Sequence, residues 1–366
     1  MQAAHTIAHV VDFIDSSSKD LFGALKRSHR SFDPATRRAA SSGDNSGLWN
    51  EEKPKPSGPW YPPCLKTSAT PPCLRKLHNI SSDASAAGSS QAVALFGPQF
   101  FRPTDLAAFD EKYGLPPATV RVLNDNDPST AGNEASLDTQ YLTALGAGAE
   151  SWYLHYSCTT EACRPFLGWV VQLANLTRPP LVHSVSVGTT EWEYAEAMGE
   201  PYVARINLEL AKLGARGLTL LFAAGDRAAQ AHGGRFWINF PAASPYVAAV
   251  GGAWLGELGG GPLVTDPDTT GGFANCPAHA QPAHQRAAVE RYLAVAAAAG
   301  AKRPDVFNAS LRAVPDLVSM SDAYVIIQVV GRPAGPPLPP SALTPPLPPR
   351  DPPTHAPSPA TAAREV

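Results

Sequence analysis

Between residues 92 and 226 the chain alternates short apolar runs with helical stretches, and this alternation constrains its fold more than any other feature. "AVALFG" (92–97) is followed by a Pro-started helical pattern, "RPTDLAAFDEKYG", and then by "ATVRVLN". The helix carrying Glu134 and Asp138 leads into "SWYLHYS", a helix near 164–175 into "LVHSVSVG", and a long helix over about 193–214 into "LTLLFAAGD". In that last helix Tyr202, Ile206, Leu210 and Leu213 have core-facing spacing. Strands that are apolar on both faces and separated by single helices belong to a parallel sheet covered on both sides. The pattern therefore predicts an α/β fold with a doubly wound, mostly parallel sheet. Ligands of such sheets bind outside the carboxyl ends of the strands. "LTLLFAAGD" would deliver Asp226 to that edge, just past a glycine.

Composition narrows the partners. The net charge is -3 and the 29 Lys and Arg residues are scattered, so neither nucleic acid nor an anionic membrane surface is expected. No apolar run approaches the roughly 18 residues needed to span a bilayer, and the start "MQAAHTIAHVVDFIDSSS" lacks the pattern of a signal peptide. Five cysteines and three Asn-x-Ser/Thr sequons, at Asn79, Asn175 and Asn308, would suit a secretory or vacuolar protein. Cys64 and Cys73 could close one short loop and Cys158 and Cys163 another, leaving Cys276 unpaired. With no Cys-x-x-Cys, Cys-and-His cluster or His-Glu-x-x-His, a catalytic metal is not expected. Gly-Gly at 251–252 and 271–272 reads as tight turns near a cleft, and His155 and His183 as hydrogen-bonded core residues within strands.

The flanks differ in texture. Residues 14–62 are polar and rich in Ser, Lys and Pro, and read as an exposed linker; Gly331–Val366 is about one-third proline and reads as a disordered, polyproline-like tail. Three segments follow: 1–62, a folded body over 63–330, and the tail 331–366.

The chemistry centres on "GNEASLDTQYL" (132–142), which sets Glu134 and Asp138 one helical turn apart. Spacing alone favours a solvated face, where like charges at i and i+4 repel by a few tenths of a kcal/mol. A functional reading needs both acids in a dry cleft, where they share a proton and one becomes a base of raised pKa. Asp226, read alone, is as well explained as a turn former or helix cap.

The ordered set Glu134-Ala-Ser-Leu-Asp138, "RINLELAKLGARGLTLLFAAGD" (205–226), "FPAASPYVAAVGG" (240–252), "GGFAN" (271–275) and "FNASLRAVPDLVSMSDAYVII" (307–327) resembles the sedolisins. These are serine-carboxyl peptidases with a subtilisin-like fold, among them tripeptidyl-peptidases. The resemblance runs from about Cys64 to Ile327 and implies peptide-bond hydrolysis at acidic pH by a monomer, in a secreted or lysosomal/vacuolar setting. It implies that Glu134 is the general base for a serine nucleophile, that Asp138 holds and shares the proton, and that Asp226 stabilises the oxyanion. It also implies calcium as the cofactor of the complete fold, at a site near the C-terminus that this chain lacks. "HVVDFI" (9–14) then resembles the end of a propeptide, making 1–62 a propeptide remnant and linker.

Two departures change the expectation. The family's Ser-Gly-Asp-Ser-Gly loop reads Ala224-Gly225-Asp226-Arg227-Ala228 here, and an arginine beside the acid would favour its ionised form. No Ser-Gly-Thr occurs anywhere, and Ser341 lies among prolines without the strand-to-helix context that activates a nucleophile. The chain is thus expected to be truncated at its C-terminal end, inactive, and exposed along one flank of its sheet. The alternative is a catalytically dead pseudoprotease that binds peptides or a protein partner. A glycosidase fits poorly, because its carboxyls must flank a sugar about 5 to 9 Å apart.

Overall fold

The computed structural model describes residues 64, 68–81, 83–156, 165–228, 230–255, 263–298, 306–321 and 323–328. The segments 1–62 and 331–366, and the Cys158–Cys163 pairing, lie outside the described residues. In chain order the helices are α1 (Pro71–Leu77), α2 (Pro103–Tyr113), α3 (Asn133–Leu145), α4 (Pro165–Asn175), α5 (Glu191–Met198), α6 (Glu200–Ala215) and α7 (Arg286–Ala298). The strands are β1 (Ser90–Phe96), β2 (Val120–Leu123), β3 (Glu150–Tyr156), β4 (Val182–Val185), β5 (Thr189–Thr190), β6 (Thr219–Ala223) and β7 (Gln230–His232). They continue with β8 (Arg235–Trp237), β9 (Asn239–Phe240), β10 (Ala248–Leu255), β11 (Leu263–Thr265), β12 (Gly272–Phe273), β13 (Ala313–Val314) and β14 (Leu317–Met320).

The main sheet runs in the order β11-β10-β6-β4-β1-β3-β2, with β14 paired to β10. Every pairing in it is parallel except β10 with β11. The central register, Ser90 with Glu150 through Phe96 with Tyr156, is unbroken over seven residue pairs. Side chains of a strand alternate between faces, and here both sets are buried. Ala92, Ala94 and Phe96 join the core beneath α4 and α6 with Trp169, Leu173, Ile206 and Phe222. Val93 and Leu95 point the other way, to Phe101, Leu106 and Ala135 of the α2–α3 layer. The predicted doubly wound α/β fold is therefore the observed one.

Two local expectations are corrected. The predicted 193–214 helix is two helices, α5 and α6, broken at Gly199 with φ of 84°. Only a residue without Cβ holds that left-handed turn cheaply. The spacing of Tyr202, Ile206, Leu210 and Leu213 survives the break, and all four are buried. Gly251 and Gly252 lie inside β10, not in a turn. A Cβ on Gly251 would sit 2.8 Å from Thr269 Cγ2 and 2.9 Å from Pro315 Cγ, so the glycine permits close packing rather than reversal of the chain. Gly272 likewise belongs to a short strand.

Cys64 and Cys73 form a disulfide and Cys276 is free. At the margin of the sheet β14 pairs with β10, and Leu317 and Val318 are 37% and 46% exposed. No helix among the described residues is long and apolar enough to cross a membrane.

Candidate active site

Parallel strands direct their carboxyl ends to one edge, and that edge gathers the acids. The connection after β2 crosses a 3-10 turn, Pro128–Thr130, and enters α3 at Gly132, whose amide donates to the Phe100 carbonyl at 2.8 Å. Glu134 is in the first turn of α3 and Asp138 one turn further. Every residue from Glu134 to Leu145 is buried, so this helix has no solvated face. Glu134 is 8% exposed and Asp138 1%. The surface reading favoured by the i, i+4 spacing is thereby excluded.

Besides α1, α2 and the sheet, a segment nearly two hundred residues downstream packs on α3. The Gln140 amide donates to the Ile327 carbonyl at 2.8 Å and accepts from the Ile327 N–H at 3.0 Å. The Tyr141 hydroxyl accepts from the Val325 N–H and reaches the Ala69 and Val325 carbonyls at 2.8 and 3.0 Å. Gln328 Nε2 donates to Ser136 Oγ at 3.2 Å. Residues 325–328 thus run along α3 towards its N-terminus, the end that carries Glu134. Sequence reasoning missed this layer; the only hint was the number of polar residues on a helix that had to be buried.

Asp138 has a second neighbour that sequence reasoning did not single out. Ser186 Oγ, one residue past β4, lies 3.4 Å from each Asp138 oxygen, at the long end of hydrogen-bond range. Tyr153 on β3 also feels this charge. Burial first, then the negative charges of Asp125 and Asp138, push its phenol far above the usual range. Its hydroxyl donates to the Gln99 carbonyl.

Asp226 follows β6 on the same carboxyl edge. In the sheet β4 lies between β6 and β1, with Val185 opposite Phe222, so Ser186 and the Asp226 loop leave adjacent strands at the same edge. That loop is tightly built. Gly225 has φ of 112°, and a Cβ there would fall 1.9 Å from Asn239 Nδ2. Thr270 N–H donates to the Gly225 carbonyl at 2.7 Å, while Thr270 Oγ1 accepts from the Arg227 N–H at 3.2 Å. Both Asp226 carboxylate oxygens are shielded from solvent. Arg227 directs Nη1 to Glu193 Oε1 at 3.9 Å. Burial raises the Glu193 carboxyl, but hydrogen bonds from the Thr189 and Thr190 hydroxyls, with the Arg227 charge, outweigh it and hold the group below its ordinary range.

Both strand histidines are core residues, as expected. His155 contacts Asp125 Oδ1 at 2.5 Å and the Gly97 carbonyl at 2.6 Å. His183 is bonded to the Pro180 carbonyl at 2.9 Å, and burial lowers its pKa to about 4. Among the described residues no three His, Cys, Asp or Glu side chains gather as a metal-binding group.

No family model matches the chain. Among curated proteins it is 37% identical to tripeptidyl-peptidase 1 of Bos taurus over 275 residues, which is 72% of this chain and 47% of that protein. The Homo sapiens protein of the same name is 37% identical over 279 residues, again 72% and 47%, and that of Rattus norvegicus 36% over 292 residues, 75% and 50%. The chain thus spans about half the length of the curated relatives it matches. Among solved structures, "Pseudomonas sedolisin (serine-carboxyl proteinase) complexed with two molecules of pseudo-iodotyrostatin" aligns with 70% of this chain and 71% of its own, at 19% identity and a TM-score of 0.48.

Proposed function

The chain belongs to the sedolisin family, and we propose that it carries the acid machinery of a serine-carboxyl peptidase, tripeptidyl-peptidase-like, that cleaves peptide bonds at acidic pH. The observation that carries this reading is the burial of Glu134 and Asp138, one turn apart, at the carboxyl edge of the sheet that also bears Asp226. Two carboxyls so close and so poorly solvated cannot both ionise cheaply, so one proton is shared between them. Glu134 then takes the proton of an attacking serine hydroxyl, and Asp138 retains the shared proton. Asp226 can donate a hydrogen bond to the developing oxyanion only in its protonated form, which the adjacent Arg227 disfavours. A carboxylate base has a pKa matched to acid rather than neutral conditions, which suits a secreted or lysosomal/vacuolar setting.

No Ser-Gly-Thr occurs in the sequence. We therefore assign this chain no nucleophile and propose that it does not turn over substrate. The same absence favours a second reading, a pseudoprotease that binds a peptide at the acid edge without cleaving it. Its partner in either case is a peptide or protein, met as a monomer.

The test compares the 366-residue chain with any longer product of the same locus, on tripeptide amides and aryl glycosides, at about pH 4 and about pH 7. The chain is expected to cleave neither. A longer product containing Ser-Gly-Thr should cleave the tripeptide amides in acid, with a loss of roughly 100-fold or more in E134Q. Full activity of E134Q, or cleavage of the glycosides, refutes the assignment. If no longer product exists, peptide binding by this chain that E134Q and D138N leave unchanged refutes the second reading.

A further inference from the structure

His155 is bonded in a way that a packing role does not explain. Its side chain, near the end of β3, is 0% exposed, and each ring nitrogen meets an acceptor: Nε2 the Gly97 carbonyl at 2.6 Å, Nδ1 the Asp125 carboxylate at 2.5 Å. A carbonyl can only accept, so Nε2 carries a proton. At 2.5 Å two lone pairs cannot face each other, so a second proton lies between Nδ1 and Asp125 Oδ1. The pair therefore holds one proton more than a neutral imidazole and a carboxylate hold apart, and that proton belongs to both partners together.

Phe100 and Tyr153 flank the ring, with centroids 4.5 and 6.4 Å away. Burial, then the charges of Asp125 and of Asp138 on α3, push the Tyr153 phenol far above its usual range, so it stays neutral. Residues 97–101, which bring the Gly97 carbonyl and Phe100, carry no ionisable side chain. On the other side Asp125 stands in the connection from β2 to α3. Hydrogen bonds from Ser129 hold Asp127 of that connection below the ordinary carboxylate range, so it stays ionised. The connection has further ties: Asn124 Nδ2 donates to the His155 carbonyl at 2.8 Å, Asn126 bonds both the N–H and the carbonyl of Phe101 at 3.1 and 3.0 Å, and the Gly132 N–H reaches Phe100. Those ties are amide contacts that no titration alters. The tie from Asp125 to His155 depends on a proton.

We propose that Asp125 and His155 form a proton-gated clasp that positions the entry to α3, and with it Glu134, in acid. The inference rests on the reading of the α3 acids as the working site, to which it adds a control. In acid the shared proton joins ring and carboxylate, and the connection is seated. When that proton passes to water, Nδ1 presents a lone pair to a carboxylate and the two repel. Asp125, whose side chain is 62% exposed, then turns to solvent, while the buried ring keeps its bond to Gly97. The first turn of α3 loosens with it. Both are positioning residues, acting on the acid pair through the backbone that leads into it.

The experiment uses the full 366-residue chain with nitrogen-15 histidine, the His155 signals being assigned by their loss in H155Q. Imidazole shifts are followed by NMR from about pH 5 to about pH 8, which brackets the ordinary histidine range. Both ring nitrogens of His155 should be protonated at the acid end and Nε2 alone at the other. Amide exchange, each rate divided by its intrinsic rate at the same pH, gives the second readout. Protection at Gly132 and Ser136 should fall roughly 10-fold or more as pH rises through that range, while protection in β1 stays constant. D125N should abolish the response and keep the protection, because an asparagine amide donates to Nδ1 without an added proton. A His155 ring with the same proton count at both ends overturns the proposal, as does an equal fall in protection in wild type and D125N. If D125N does not fold, the wild-type ring shifts decide alone. No readout depends on peptide cleavage or binding, so failure here is distinguishable from failure of the peptidase reading.

Discussion

The buried cation Arg312 offers a sharp test of how this fold is held. Its side chain is fully buried, and the guanidinium meets Asp316 through both arms, Nη1 to Oδ1 at 2.9 Å and Nη2 to Oδ2 at 2.5 Å. It also donates to the Ala242 carbonyl at 3.3 Å and the Val247 carbonyl at 3.0 Å. Asp316 accepts in addition from the Ala249 N–H and from Gln285 Nε2, each at 2.7 Å. The pair thus ties the segment entering β14 to β10 and to the turn before α7. D316A strips the counter-charge from a guanidinium that has no route to water, and leaving a buried charge unpaired costs about 3 to 5 kcal/mol. With a urea slope near the upper end of the usual range, about 3 kcal/mol/M, the midpoint should fall by roughly 1 to 2 M. The double variant R312M/D316L removes both charges together and should lose clearly less than the sum of R312M and D316L. Burial opposes ionisation of Asp316, but the Arg312 hydrogen bonds and charge, with Ala249 and Gln285, hold its carboxyl below the ordinary range. Its contribution is therefore complete above the ordinary carboxylate pKa and is lost only as pH falls through the lower folded value. A D316A midpoint within experimental error of wild type, or additive single and double variants, would refute the reasoning.

Other perturbations give equally definite outcomes. Burial lowers the pKa of His183 to about 4, so the unfolded chain binds its proton first. Stability from this site is complete above about pH 6.5 and falls by up to about 3 kcal/mol as pH drops to about 4; H183Q should flatten the acid side of a pH-dependent unfolding curve. G251A forces a Cβ to within 2.8 Å of Thr269. Overpacking of that kind costs about 1 to 3 kcal/mol, and at about 2 to 4 °C per kcal/mol it should lower Tm measurably in a calorimetric scan. Q140A removes both hydrogen bonds to Ile327; amide exchange at Val325 and Ile327 should accelerate while β1 amides stay protected, and unchanged exchange would show that the segment is held by apolar packing alone.

How much of this was legible in the sequence depends on the range of the contact that decides each feature. The parallel sheet was legible because both faces of β1 and β3 are apolar within a few residues of sequence. Trp152 and Leu154 serve one core and Tyr153 the other. The break at Gly199 was not, since the apolar spacing continues straight across it. Tyr194 of α5 and Tyr202 of α6 are both buried, with ring centroids 6.1 Å apart. Gly251 misled for a related reason: a glycine pair signals a turn locally, whereas its need for space comes from Pro315, 64 positions away. The acid pair is the extreme case. A carboxylate at i and another at i+4 look the same on a wet helix and a dry one. What dries this helix is distant in sequence: α1, α2 and the sheet pack its apolar residues, and the segment 325–328 is fixed on it by Gln140 and Tyr141 from across the chain. Spacing therefore specified the partners of Glu134 but not its dielectric, and the dielectric is what turns two ordinary acids into one that can hold a proton for the other. For Asp226 the order was reversed: the strand-then-glycine pattern located it on the edge, while the residues that fix its loop, Asn239 and Thr270, carry no local signal at all.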